Sequence, residues 1–137
     1  MIKARMIIEI VGAPREHVDQ VMQMVVKKMK EEKNLTVFNE HIEPSEPIEL
    51  ENAKNKDFFS SFVEFEIKVT TLTRILELCF DYMPSTVEIL EPDSLDFDSL
   101  EAANIINDLL ARLHRYDMLV KNLSAENTLL KKKLEQK

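Results

Sequence analysis

Val63-Glu64-Phe65-Glu66-Ile67-Lys68-Val69 alternates apolar and charged side chains without a break. A period of two over this length predicts a β-strand with one face in a core and the other in water. The inner face is Val63, Phe65, Ile67 and Val69, the outer face Glu64, Glu66 and Lys68, and the aromatic stretch from Phe58 extends the strand upstream.

Toward the carboxyl terminus, Thr70 or Thr71 can cap a helix carrying Leu72, Ile75, Leu76, Cys79 and Phe80 on one stripe, and Pro84 ends it. Residues 85–90 then predict a short strand with Val87 and Ile89 inward. Toward the amino terminus, residues 43–57 hold Pro44, Pro47 and many charges with no period, which predicts a long connection. Before it a strand runs from Leu35 to about Ile42, with Leu35 and Val37 on one side and Phe38 and Ile42 on the other. Pro14 at a first helical position opens a helix with the stripe Val18, Val21, Met22, Val25 and Met29, which fades toward Asn34. Residues 4–11 read as a first strand, Met6, Ile8 and Ile10 facing one way and Arg5, Ile7 and Glu9 the other, with Gly12 at its end.

The order β-α-β-β-α-β over residues 3–91 predicts an α+β fold, a ferredoxin-like plait with two helices on one face of a four-stranded antiparallel sheet. Residues 1–95 are expected to form this domain and residues 96–137 a separate helix. The plait serves many unrelated functions, so it licenses no activity.

Asp98-Ser99-Leu100-Glu101 has the spacing of a capping box, and neither proline nor glycine follows, so one helix is expected from about Ser99 nearly to the end. Ala102, Ile106, Leu109, Leu113, Tyr116, Val120, Leu123, Asn127, Leu130 and Leu134 follow at alternating spacings of four and three, which is a heptad seam. Ile106, Leu113, Val120, Asn127 and Leu134 take its a positions; Ala102, Leu109, Tyr116, Leu123 and Leu130 take d. The expected dimer interface is therefore the stripe from Ile106 to Leu134. A buried amide at the a position of Asn127 is best satisfied by the same residue of a second chain in register, which favours two parallel strands. Arg112 at g can meet Asp117 at e of the other chain, and Glu126 can meet Lys131 in the same way. The competing reading is a long amphipathic helix folded back on its own domain; Ile105, Leu110, Met118 and Leu119 widen the apolar surface of its first half.

The segment from Leu123 to Leu134 resembles a leucine zipper, without a continuous basic region before it. Plait, then Arg112-Leu-His-Arg-Tyr-Asp117, then zipper: the layout as a whole resembles an uncharacterised archaeal protein family with a ferredoxin-like domain and a C-terminal leucine-zipper-like coiled coil. The resemblance implies no activity.

Composition narrows the chemistry. The 137 residues are 45% hydrophobic, enough for one core, and a net charge of −7 opposes attraction to nucleic acid or anionic lipid. All of that charge falls before residue 96, the remainder being balanced. A lone glycine, Gly12, excludes a glycine-rich phosphate cradle. A single cysteine, Cys79, forms no internal disulfide and reads as a small core residue. No apolar run reaches the ~18 residues of a membrane span. His17, His41 and His114 have no metal-ligand spacing, and no serine or cysteine has a visible base.

On the uncovered sheet face, Arg5, Ile7, Glu9, Phe62, Glu64, Glu66 and Lys68, with Glu88 nearby, present central carboxylates that repel phosphate but could meet a basic protein surface or a cation. The lysine clusters at 27–33 and 131–133 suit the negative ends of their helices. The expectation is a cytoplasmic, non-enzymatic homodimeric scaffold or adaptor, with no catalytic residue, metal or cofactor. Its expected partner is a second copy of itself, with another protein as a further candidate, and neither nucleic acid nor membrane. The alternatives are a nucleic-acid- or ribosome-associated factor using the lysine clusters, and a small-ligand sensor of the plait class.

Overall fold

The structure, a computed structural model, describes residues 1–49 and 57–136. Its elements are β1 (Ile2–Gly12), α1 (Arg15–Lys30), β2 (Thr36–Ile48), β3 (Phe58–Val69), α2 (Leu72–Tyr82), β4 (Thr86–Glu91) and α3 (Ser99–Glu135). They divide into two compact units, Met1–Leu95 and Asp96–Lys137. The first is an α+β unit whose four strands form one antiparallel sheet in the order β2-β3-β1-β4.

β1 and β3 are the central pair, in register without interruption from Ile2 opposite Val69 to Gly12 opposite Phe59. Because both largely alternate with period two, one register puts most of their apolar residues on the same face, with Ile7 and Phe62 left among the charges of the other. Ile2, Ala4, Met6 and Ile8 of β1 are buried there with Val63, Phe65, Ile67 and Val69 of β3. Met22 and Met29 from α1, with Ile75 and Leu78 from α2, close the layer.

Pro14 stands just before α1 as its N-cap rather than as its first residue. In α2 the cap is Thr71, whose side chain accepts from the Arg74 amide at 3.2 Å. The α2 stripe differs from the expected one: Leu72, Ile75, Leu78, Cys79 and Tyr82 meet the core, while Leu76 and Phe80 are half-buried outside that cluster. Apolar residues occupy most of this short helix's circumference, so spacing alone admits two faces, and packing against β3 selects one.

The long connection expected at 43–57 is corrected over its first part, since β2 continues through Glu43 to Ile48; residues 50–56 lie outside the described residues. Two bulges hide the strand from a periodicity reading. Val37 pairs with Ile67 and Ile42 with Val63, so one extra residue is inserted between them, and another lies between Glu43 and Glu46. The first bulge includes Asn39 at φ 53°, a residue type that tolerates the left-handed region. It also brings Ile42 onto the core side with Val37, instead of opposite it with Phe38. Pro44 and Pro47 are tolerated because β2 is an edge strand.

An ion-pair network ties the two helices together. Arg74 of α2 donates to Glu32 just beyond α1, to the Lys33 carbonyl at 3.0 Å and to Glu77 at 3.0 Å; the Tyr82 hydroxyl donates to Glu32 at 2.7 Å. Burial alone would raise the Glu32 carboxyl, but hydrogen bonds from Tyr82 and Arg74 and the charges of Arg74 and Lys28 hold it below the usual carboxylate range. Burial and donation to Glu32 push the Tyr82 hydroxyl up.

Two stability predictions follow from these contacts. Since the folded Glu32 carboxyl titrates below its ordinary 4.5, its contribution is complete above that pH and is lost as pH falls through the depressed value. Glu32→Gln should therefore cost about 1–3 kcal/mol at neutral pH, and urea unfolding should show the deficit narrowing below pH 4.5. Met83, exposed and at φ 49°, ends α2 in the left-handed region that glycine favours. Met83→Gly should stabilise by about 0.5–1 kcal/mol in the same assay.

Candidate functional site

α3 is one unbroken helix of 37 residues, about 55 Å at ~1.5 Å per residue. Asp98 caps it by accepting from the Glu101 amide at 2.8 Å; Glu101 lies in its first turn and Lys132 and Lys133 in its last, each matched to the helix dipole. Side-chain pairs at i,i+4 support its surface, with Arg112 bonded to Asp108 at 3.3 Å and Lys121 to Asp117 at 2.8 Å. Any partner helix using Arg112 and Asp117 at the seam margin competes with these local pairs.

The nine interface residues read from the sequence all lie on this helix, on one stripe. Leu109 is half-buried and Asn127 exposed. Ile106, Leu113, Tyr116, Val120, Leu123, Leu130 and Leu134 are all exposed, the last at 71%. Leu110 and Leu119 flank the stripe and are also exposed; Leu129, which heptad reading leaves aside, lies off it at 59%. Solvent-facing apolar side chains in this number on one helix exceed the scattered singletons of an ordinary surface.

The second candidate is the sheet face opposite the helices. Arg5 bridges Glu64 at 3.2 Å and Glu88 at 3.1 Å, so its guanidinium spans β3, β1 and β4. Asn39 donates to Glu66, which Lys3 approaches at 3.9 Å. Lys3 and Lys68, directly opposite each other on β1 and β3, stand 5.5 and 5.4 Å from the Phe38 ring centroid, each in cation–π range. A shallow hollow of 240 Å³ lies among Arg5, Asn39, His41, Glu64, Phe65 and Glu66. Sequence reasoning placed the charges here but not their mutual neutralisation, because Arg5 meets Glu64 and Glu88 only through strand register.

The three histidines are spread over separate elements. His17, His41 and His114 lie in α1, β2 and α3, and His41 pairs with Glu43 at 2.9 Å. Among the described residues, no group of three His, Cys, Asp or Glu could hold a metal ion. Burial pushes the Cys79 thiol up, away from the thiolate that nucleophilic chemistry requires. Nor is any described helix long and apolar enough to cross a membrane.

A family model matches residues 3–136. The chain belongs to the MJ0538 family. No curated protein and no solved structure matches it. The part matched to the MJ0538 family runs through both units, and it contains the whole heptad stripe from Ile106 to Leu134 and every charge of the open sheet face. At that coarse level it agrees with the family resemblance read from the layout.

The Arg5 bridges are more than one-third exposed, so water and salt screen them. Arg5→Ala should cost less than about 1 kcal/mol, and chemical denaturation in ~1 M salt should shrink even that difference.

Proposed function

We propose that this protein is a non-enzymatic, cytoplasmic homodimeric scaffold or adaptor in which two copies of α3 pair in parallel and each presents a ferredoxin-like head. One observation carries the reading: an uninterrupted heptad stripe whose members from Leu113 onward α3 leaves open to water, from 44% exposure at Tyr116 to 71% at Leu134. Moving each seam leucine from this exposure to full burial stabilises by about 1–2 kcal/mol. The stripe from Ile106 to Leu134 spans about four heptads, the length over which a sustained apolar seam argues for a coiled coil.

Asn127 supports the parallel arrangement, since its amide at an a position is satisfied by its own counterpart in register. The strand order β2-β3-β1-β4, with α1 and α2 following β1 and β3, supports the ferredoxin-like assignment of the head. The nucleic-acid alternative loses ground where its lysines are already engaged: Lys30 pairs with Glu40, and Lys28 lies over the Tyr82 ring at 5.6 Å.

Sedimentation equilibrium of the full chain should return a dimer at micromolar concentration; a monomer there would overturn the reading. Asn127→Leu should raise thermal stability while broadening the distribution of oligomer sizes, because the register-fixing amide is gone. Unchanged stability would mean that residue 127 faces water in the assembled protein.

A further inference from the structure

The two edges of the sheet are built differently. β2 carries two bulges together with Pro44 and Pro47, features that bend an edge and remove donors, so it resists a further strand. β4 contains no proline, and its one register shift leaves Thr86–Ile89 regular against β1. Its outer row of N–H and C=O groups is open to pairing.

Val87 and Ile89 lie on the helix-covered side, opposite Met6 and Ala4. Yet they remain 39% and 38% exposed where Met6 and Ala4 are at 1% and 0%. The apolar layer reaches the β4 edge and stops there uncovered.

We infer that β4 pairs antiparallel with β4 of a second copy of this chain across a twofold axis, joining two four-stranded sheets into one. The side-chain pattern is self-complementary. An axis through Glu88 sets Val87 opposite Ile89 of the second copy, and the reverse, so the half-exposed apolar pairs close on one another. On the open face the two Glu88 carboxylates approach, and each is already met by Arg5 of its own chain at 3.1 Å.

Chain connectivity selects this edge over the other. The inference rests here on the proposed parallel pairing of α3, because only residues 92–98 separate β4 from that helix, a reach of about 24 Å at ~3.4 Å per residue. Two paired α3 helices thus hold two β4 strands at high effective concentration, whereas β2 lies at the far side of the sheet.

Disulfide trapping in full-length protein separates the two ideas. Directly opposed residues of an antiparallel pair have Cα atoms about 4.5–5.5 Å apart, within disulfide range. In a Cys79→Ala background, Glu88→Cys should form an inter-chain disulfide under mild oxidation, and His41→Cys on β2 should not. Asn127→Cys in that background reports the helix pairing independently. Cross-linking at 127 without 88 overturns the edge pairing and leaves the helix pairing standing. Cross-linking at 88 without 127 supports the edge pairing and removes the helix pairing, and no cross-link at either removes both. Equal rates at 41 and 88 indicate random collision and overturn the inference. Hydrogen exchange on the unsubstituted chain provides a second readout: outward amides of β4 should exchange ~100-fold more slowly than those of β2, and equal rates overturn the pairing.

Discussion

The continuous register between β1 and β3 is the constraint on which the head depends. With Met6 opposite Phe65 and Ile8 opposite Val63, two alternating sequences deliver most of their apolar residues to one face and their charges to the other. A slip of one residue would bury Glu64 and Glu66 and expose Phe65 and Ile67, so the hydrophobic effect fixes the register strongly. Both helices and both edge strands take their places from that central pair. α1 and α2 cover its apolar side, and the Arg74–Glu32–Tyr82 network then sets the helices against each other with satisfied polar groups at the margin of the core.

α3 obeys a different economy of contacts. It is made helical by local rules alone: a capping aspartate, charges matched to the dipole, i,i+4 ion pairs, and no breaker over its length. Local rules do not hide its apolar stripe. A sequence that spaces aliphatic residues at four and three along so long a helix, and places an amide at one of those positions, carries an instruction that a single chain leaves unexecuted. The proposed assembly role follows from that contrast between a head whose apolar residues are largely enclosed and a helix whose apolar residues are not.

The open sheet face reads differently one strand at a time and as an assembled sheet. Glu64, Glu66 and Glu88 look like a negative surface when read one strand at a time. Cross-strand neighbours change this: Arg5 sits between Glu64 and Glu88, Lys3 approaches Glu66, and Lys3 and Lys68 both reach the Phe38 ring. The face is a mosaic of paired charges.

What the sequence determined by itself was whatever depends on neighbours along the chain. β3 was legible because its alternation is strict from Val63 to Val69, β1 because it is β-branched and partly alternating, α3 because its cap, period and lack of breakers all lie within one segment. Tertiary structure decided what depends on neighbours in space. The bulges of β2 shift its phase, so Ile42 reaches the core and residues 43–48 read as loop although they are strand. Leu78 rather than Leu76 is buried because β3 lies beneath one of two equally apolar faces of α2, and Val87 and Ile89 stay half-exposed because their strand ends the sheet. Periodicity reports which side chains avoid water, whereas only the packed fold determines which of them succeed.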